Sequence, residues 1–344
     1  MKKFTKGCLV TALVLFIMGC LICAVCGVLG GYRQITAGVL NNINGIPFAC
    51  EWQEDGGFNL GFFKYDWEDD VSWERGEWQE ADTSGTMQKL AVTEDTLWEL
   101  DVEVTDCSLT IEESSDDSVW LAVDGSRSKT YYQIEKEAGN KNILSIRKKG
   151  YRRNGIQYDG ISDDIRLYMP RGCNLHEISI MMGAGEMKTI PLTADELEIN
   201  VGAGNCEAQG FEAETIELLV GAGRISTTGL KAKKAVMEIG VGELTVSEID
   251  VQGQTEIELD LGNADITGTL TGETDAECNL GELRFHLTGS EEDYGFDVEC
   301  GVGEIKIGNN SYSGIASSRS WNQDRRNQFE LDCDLGSIIV TFDK

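Results

Sequence analysis

From Leu100 onward, apolar and polar residues alternate along most of the chain, the pattern of strands that bury one face. The alternation is interrupted at regular intervals by "GAG" or "GVG". The second glycines of the first four interruptions, Gly185, Gly204, Gly223 and Gly242, are each 19 residues apart. Counted from that glycine, positions −7, −5 and −3 hold Ile178, Ile180 and Met182, then Leu197, Ile199 and Val201, then Ile216, Leu218 and Val220. Ala184, Ala203 and Ala222 at −1, and Met187, Cys206, Ile225 and Leu244 at +2, extend what reads as an inward face. A second turn shows in Gly210 and Gly229, followed by Phe211 and Leu230. Each unit therefore reads as strand, glycine corner, short strand and second corner.

A single unit of this size cannot bury its apolar face alone, so the units must stack. The expected fold class is all-β: a parallel β-solenoid over residues 98–344, with coils of 19 residues marked by G-x-G corners. Irregular copies continue it at "DLGNADITG", "CNLGELRFH", "CGVGEIKIG" and "CDLGSIIVT", and "LDVEVTDCSLTIEE" is an early copy with Cys107 in the corner place. The stretch "NVGAGNCEA" has the composition of a phosphate loop, but a strand with an inward Cys206 follows it rather than a helix N-terminus. Its glycines serve a sharp turn, with positive φ expected, and close approach between coils.

The first part of the chain is organised differently. Residues 1–6 carry Lys2, Lys3 and Lys6, and residues 7–31 hold no charge, long enough for one transmembrane helix. The positive-inside rule puts residues 1–6 in the cytoplasm and the remainder outside the cell membrane, as a single-pass protein. Because the apolar run continues past "IMGC" through "LICAVCGVLGG", an uncleaved anchor fits better than a processed export signal. Residues 32–97 form an acidic, Trp-rich juxtamembrane stalk with Trp67, Trp73 and Trp78. Gly at 40 against Pro at 3 suits repeated corners rather than a flexible linker. The formal net charge of −30 argues against nucleic acid as a partner, since phosphate contacts require Lys and Arg.

Candidate chemistry lies mainly on the outward positions. Position −4 is read as Glu238, Asp260, Glu277, Glu299 and Asp332 in successive coils. Position −6 is read as Glu198, Glu217, Glu258, Asp275, Asp297 and Glu330, and position +1 as Glu186, Glu243, Asp265, Glu282 and Glu304. Such columns attract cations, either Ca²⁺ bound weakly through several carboxylates or a basic partner, or else they keep an exposed sheet soluble. One basic loop, Arg147, Lys148, Lys149, Arg152 and Arg153, is a candidate contact for a cell-wall polymer, lipid headgroups or another envelope protein. Cys278, Cys300 and Cys333 share position −3 and are expected to form an inward ladder of thiols. No CxxC pair lies in the repeat region, and neither His176 nor His286 has a nucleophile setting, so no catalytic residue and no cofactor is assigned.

The anchor, "IRLYMPRGCNLHEISIMMGAGEMKTI" and the G-x-G coils that follow resemble the bacterial toastrack domain, also called the putative adhesin family, of unknown function. The resemblance covers residues 98 to 344 and implies a membrane-anchored, envelope-associated β-solenoid of adhesin-like, non-enzymatic character. An accessory sensor subunit of an envelope-stress response is the alternative, and a polysaccharide-active β-solenoid enzyme a remote one. A defined divalent site predicts that Ca²⁺ or Mg²⁺ raises the melting temperature of residues 32–344 beyond the effect of NaCl at equal ionic strength. Identical shifts for the three salts would remove that site.

Overall fold

The computed structural model describes residues 50–52, 58–60, 63–65, 78–125, 129–148, 152–153, 156–157, 163–313 and 317–344. Two compact units are present, residues 1–70 and 71–344. Within the first, Cys50–Trp52, Phe58–Leu60 and Phe63–Tyr65 form an antiparallel three-stranded sheet. The transmembrane segment expected at residues 7–31 lies outside the described residues. No helix among the described residues is long and apolar enough to cross a membrane.

The second unit is a stack of parallel coils, and the expected period sets its registry. Residues 19 apart are hydrogen-bonded neighbours: Val201 pairs with Val220, Val220 with Ile239, and Cys206 with Ile225. Positions −7, −5, −3 and +2 point inward, and Ile216, Leu218, Val220 and Ile225 have no exposed surface. Position −1 does not follow that expectation. Ala203 and Ala222 are exposed, because the residue between two stacked glycines occupies the apex of the corner.

Close approach, more than backbone handedness, accounts for the corner glycines. A Cβ on Gly223 would lie 2.2 Å from the carbonyl oxygen of Gly204 one coil away, although its φ is not positive. Gly185 is the exception among the four markers, with φ +127° and a would-be Cβ 1.9 Å from the carbonyl oxygen of Cys107. Among these four marker glycines, positive φ, expected at each, is thus found only where the regular array meets the irregular coil Leu97–Glu113.

The stack does not follow chain order at either end. Along the inward −3 position, neighbouring rungs read Lys148, Val104, Met182, Val201, Val220, Ile239, Leu259, Cys278, Cys333 and Cys300. The first coil of the chain, Leu97–Glu113, lies between the coil 141–169 and the coil 174–189. The last, Asn327–Phe342, lies between the coil 263–287 and the coil 294–307. Each end then carries antiparallel strands: Ser118–Asp124 and Thr130–Glu137 on one, Asn310–Ser313 and Ser317–Trp321 on the other. These strands cover parallel edges that would otherwise be templates for further pairing.

The folded region also begins earlier than residue 98. Gln79–Glu80 and Gln88–Thr93 pair with the antiparallel strands, and Leu90 and Val92 are buried in the core. Trp78 is half-buried, its ring 5.9 Å from the guanidinium of Arg147. Trp67 and Trp73 of the expected stalk lie outside the described residues. The core is aliphatic along most of the stack and aromatic near its C-terminal end, where Tyr294 and Phe285 meet Phe329 edge-on at 5.6 and 5.8 Å.

The corner geometry yields a test. Gly223→Ala is expected to cost about 1–3 kcal/mol in urea unfolding, through forced displacement of the neighbouring coil. Gly210→Ala, whose Cβ would meet nothing closer than 3.6 Å, is expected to stay within about 0.5 kcal/mol of the parent protein. Equal losses at the two positions would refute close approach as the reason for glycine.

Candidate interaction faces

The acidic columns exist, with a register different from the one expected. The coil between Gly242 and Gly262 contains one residue more than its predecessors, absorbed where pairing shifts between Ala232 and Lys234. Glu248, with φ 60°, sits where the pairing of that coil to the next shifts again. Gly262 therefore stands over Gly242. The −4 column runs Glu238, Glu258, Glu277, Asp332 and Glu299, with Glu258 in the place expected for Asp260. Asp260 lies two residues further on, in the corner, where it accepts a hydrogen bond from Asn279 Nδ2 at 3.0 Å. The −6 column correspondingly runs Glu198, Glu217, Val236, Glu256, Asp275, Glu330 and Asp297.

Four consecutive rungs thus display Glu256 and Glu258, Asp275 and Glu277, Glu330 and Asp332, and Asp297 and Glu299. Among the described residues, the ion pair to this patch is that of Lys234 with Glu256, at 3.2 Å. Withdrawal of water by the neighbouring rungs, and then repulsion from adjacent carboxylates, raises the pKa values of Glu258, Glu277 and Asp332 above the usual carboxylate range. The same causes raise Glu198.

The strands leaving the corner behave otherwise. Their outward columns interleave signs, with Arg224 on Glu243 at 2.6 Å, Lys188 on Glu207 at 3.4 Å and Lys306 on Glu304 at 2.9 Å. Arg284 pairs with Glu282. The expected +1 column survives for Glu186, Glu243, Glu282 and Glu304, but Asn205, Arg224, Asn263 and Ser337 interrupt it. Asp265 belongs two residues later, facing Thr245 and Arg284. The unrelieved acid is therefore confined to one side of the corner.

The basic loop is dispersed by the fold. Lys148 occupies the inward −3 position and is 2 % exposed. Its ammonium donates to the carbonyls of Thr105 and Asp106 at 2.8 and 2.9 Å and lies 3.5 Å from the carboxylate of buried Asp163. A lysine was expected at the surface, but alternation continues through "ILSIRK" and carries it inside, where carbonyls and a carboxylate replace its water. Removing one partner of a buried pair of this kind typically costs about 3–5 kcal/mol. Arg147 points the other way, pairing with Asp101 and, at 3.0 Å, with Glu103, so it neutralises the acidic face at the first coil. Lys149 lies outside the described residues, and Arg152 and Arg153 pair with Gln157 and Ile156 in a two-stranded ribbon.

The thiols are inward, as expected. Cys278, Cys333 and Cys300 are fully buried on successive rungs, with Cys333 rather than Cys300 next to Cys278. The hydrogen bond between Cys278 and Cys333 pulls the first thiol's pKa down and pushes the second up. Burial first, and then neighbouring carboxylates, push Cys107 and Cys206 up to about 12, which keeps them protonated. His176 stacks on Trp98 and lies 3.0 Å from Asp195, which raises its pKa; His286 Nδ1 meets the Thr341 hydroxyl at 2.9 Å. Among the described residues no group of three carboxylates, thiols or imidazoles converges to hold a metal ion. The acid forms an extended field rather than a cage.

Protons held more tightly by the folded state favour folding at low pH, and that contribution is lost as pH rises through the elevated values. Acidification from about pH 7 toward the ordinary carboxylate range of about 4.3 is therefore expected to relieve strain on this face. Asp116, Asp293 and Glu304 are shifted down by hydrogen bonds and act in the opposite sense, so the comparison is made by difference. The triple variant Glu258→Gln, Glu277→Gln, Asp332→Asn is expected to melt higher than the parent at neutral pH, with the gap closing on acidification. A gap independent of pH would contradict the assignment.

Solved structures that are similar include a putative adhesin from Bacteroides fragilis, at 14% identity and TM-score 0.41, covering 74% of this chain and 96% of that one. A putative cell adhesion protein from Clostridium sporogenes matches at 12% identity and TM-score 0.25, covering 77% and 98%. A putative lipid binding protein from Parabacteroides distasonis matches at 15% and TM-score 0.31, covering 74% and 96%. No curated protein matches the chain. The family model described as Toastrack DUF4097 matches residues 98–330, most of the stack, and the chain belongs to that family.

Proposed function

We propose that this chain is a non-enzymatic protein of the bacterial cell envelope that presents its solenoid for binding or scaffolding, in an adhesin-like manner. In this reading residues 7–31 cross the membrane once, residues 1–6 are cytoplasmic and the toastrack domain stands outside. The observation that carries the binding role is the asymmetry of the two sides of the corner. One side pairs acid with Lys and Arg, whereas the other leaves eight carboxylates on four rungs with, among the described residues, one ion pair, from Lys234. Such a surface recognises a cationic counterpart, and it has no need of reacting groups.

Two concavities lie among the described residues. A cavity of about 150 Å³ near Arg171, Cys173 and Pro191 is small beside ligand sites of about 300–1,000 Å³. Arg171 is engaged with Glu113 at 2.6 Å, and burial pushes the Cys173 thiol up to about 11, away from the reactive thiolate. A depression along Glu80–Gln88 is broadly open to solvent. The aligned nucleophile, base and orienting group that a hydrolase requires are not assembled around either one among the described residues.

The reading is tested by in-membrane cross-linking of the full chain with mass spectrometry, beside a version lacking residues 32–77. The boundary at 77 keeps the strands that close the solenoid. Recovery of cell-wall material or extracellular ligand on the solenoid is the expected result. A discrete membrane partner lost with residues 32–77 would instead favour the accessory sensor role.

A further inference from the structure

The corner apex carries a second feature on the same rungs as the acid. Where early coils have Ala203 and Ala222, later ones have, in stacking order, Val241, Leu261, Leu280, Leu335 and Val302. Backbone bonds tie them in line: Leu280 N donates to Asp260 O at 2.8 Å, Leu335 N to Asn279 O at 2.8 Å and Val302 N to Asp334 O at 2.7 Å. Val241, Leu261, Leu335 and Val302 are 48%, 42%, 42% and 66% exposed, and together with Met87 they are the large exposed apolar side chains among the described residues. Clustering of this kind marks interaction sites, whereas scattered apolar residues do not.

We propose that this apolar ridge is the docking line for a cationic amphipathic segment of a protein partner. The inference rests on the reading of the solenoid as a binding surface and names the chemistry of what is bound. Five rungs at about 4.8 Å span about 19 Å, the length of a helix of about 13 residues, whose turns of about 5.4 Å nearly match the rung spacing. A helix with an apolar stripe edged by Lys or Arg would lay the stripe on the ridge and its cations over Glu258, Glu277, Asp332 and Glu299, three residues before each apex. Charge selects against other occupants. A second copy would bring the same carboxylates face to face with a chain of net charge −30, and an anionic lipid surface would be repelled.

The test uses the full chain in nanodiscs of zwitterionic lipid, with empty nanodiscs as blank. The probe is a fluorescent synthetic peptide of about 15 residues with leucines at i, i+3, i+4 and i+7 and lysines beside them. A peptide of the same composition with the leucines dispersed is the control. The expected result is binding of the first peptide at least about tenfold tighter than the second. The quadruple variant Val241→Ser, Leu261→Ser, Leu335→Ser, Val302→Ser should lose about tenfold, and so should Glu258→Gln, Glu277→Gln, Asp332→Asn. These side chains are solvent-facing, and the comparison of two peptides on the parent chain holds even if a variant misfolds. Equal binding of the two peptides, or no binding, overturns the proposal. Loss in the acid variant alone overturns the ridge while leaving an acidic binding face intact. A result of that kind leaves the envelope role to the cross-linking experiment.

Discussion

Parallel stacking of backbone against backbone at about 4.8 Å is the constraint on which everything else in this protein depends. It turns each position of the repeat into a column, so the identity of one residue is felt by the residues above and below it. Inside, the columns must be apolar and of similar volume, and Val201, Val220, Ile239 and Leu259 meet that need on consecutive rungs. At the corner the carbonyl of one coil lies where the Cβ of the next would be, so glycine is required there. Outside, stacked carboxylates must be screened, paired with cations or bound by a partner.

The two sides of the corner resolve this last requirement in different ways. Leaving the corner, basic and uncharged residues interrupt the acid, and short contacts such as Arg224 with Glu243 discharge the column. Approaching it, carboxylates follow one another from Glu256 and Glu258 to Asp297 and Glu299, and the proton affinities of Glu258, Glu277 and Asp332 rise because water is withdrawn and neighbours repel. That side also borders a run of large apolar apices. The stack therefore concentrates stored electrostatic repulsion and exposed apolar surface on the same rungs, the combination that a cationic amphipathic partner would relieve.

Both ends of the stack are closed by burying the first and last coils one rung inside. A terminal coil in sequence order would bond on one side only, whereas Asn327–Cys333 bonds to Thr274–Cys278 on one side and Tyr294–Cys300 on the other. The outermost coils are covered in turn by antiparallel strands, and Lys148 with Asp163 occupies the inner corner of one of them. The polar stretch before the last coil supplies one such cover through Ser317–Trp321, whose Trp321 stacks on Phe296 at 5.1 Å.

The all-β class, the 19-residue spacing and the inward −7, −5, −3 and +2 columns were legible in the sequence, because alternation and glycine spacing are local consequences of strand geometry and coil closure. The inward thiols at Cys278, Cys300 and Cys333 and the wealth of outward acid followed from the same count. Their neighbours did not. Placing Cys333 beside Cys278 requires a return of the chain between two coils already laid down, and no local pattern records it. Counting four residues back from Gly262, the glycine that stacks on Gly242, puts Glu258 rather than Asp260 in the column. Continued alternation in "ILSIRK" was available to show Lys148 inside, yet its burial depends on Asp163 arriving from a distant strand. Sequence determined what each coil must look like; tertiary structure alone decided which coils touch, because hydrogen bonds between parallel strands join residues that the chain order leaves free to choose partners.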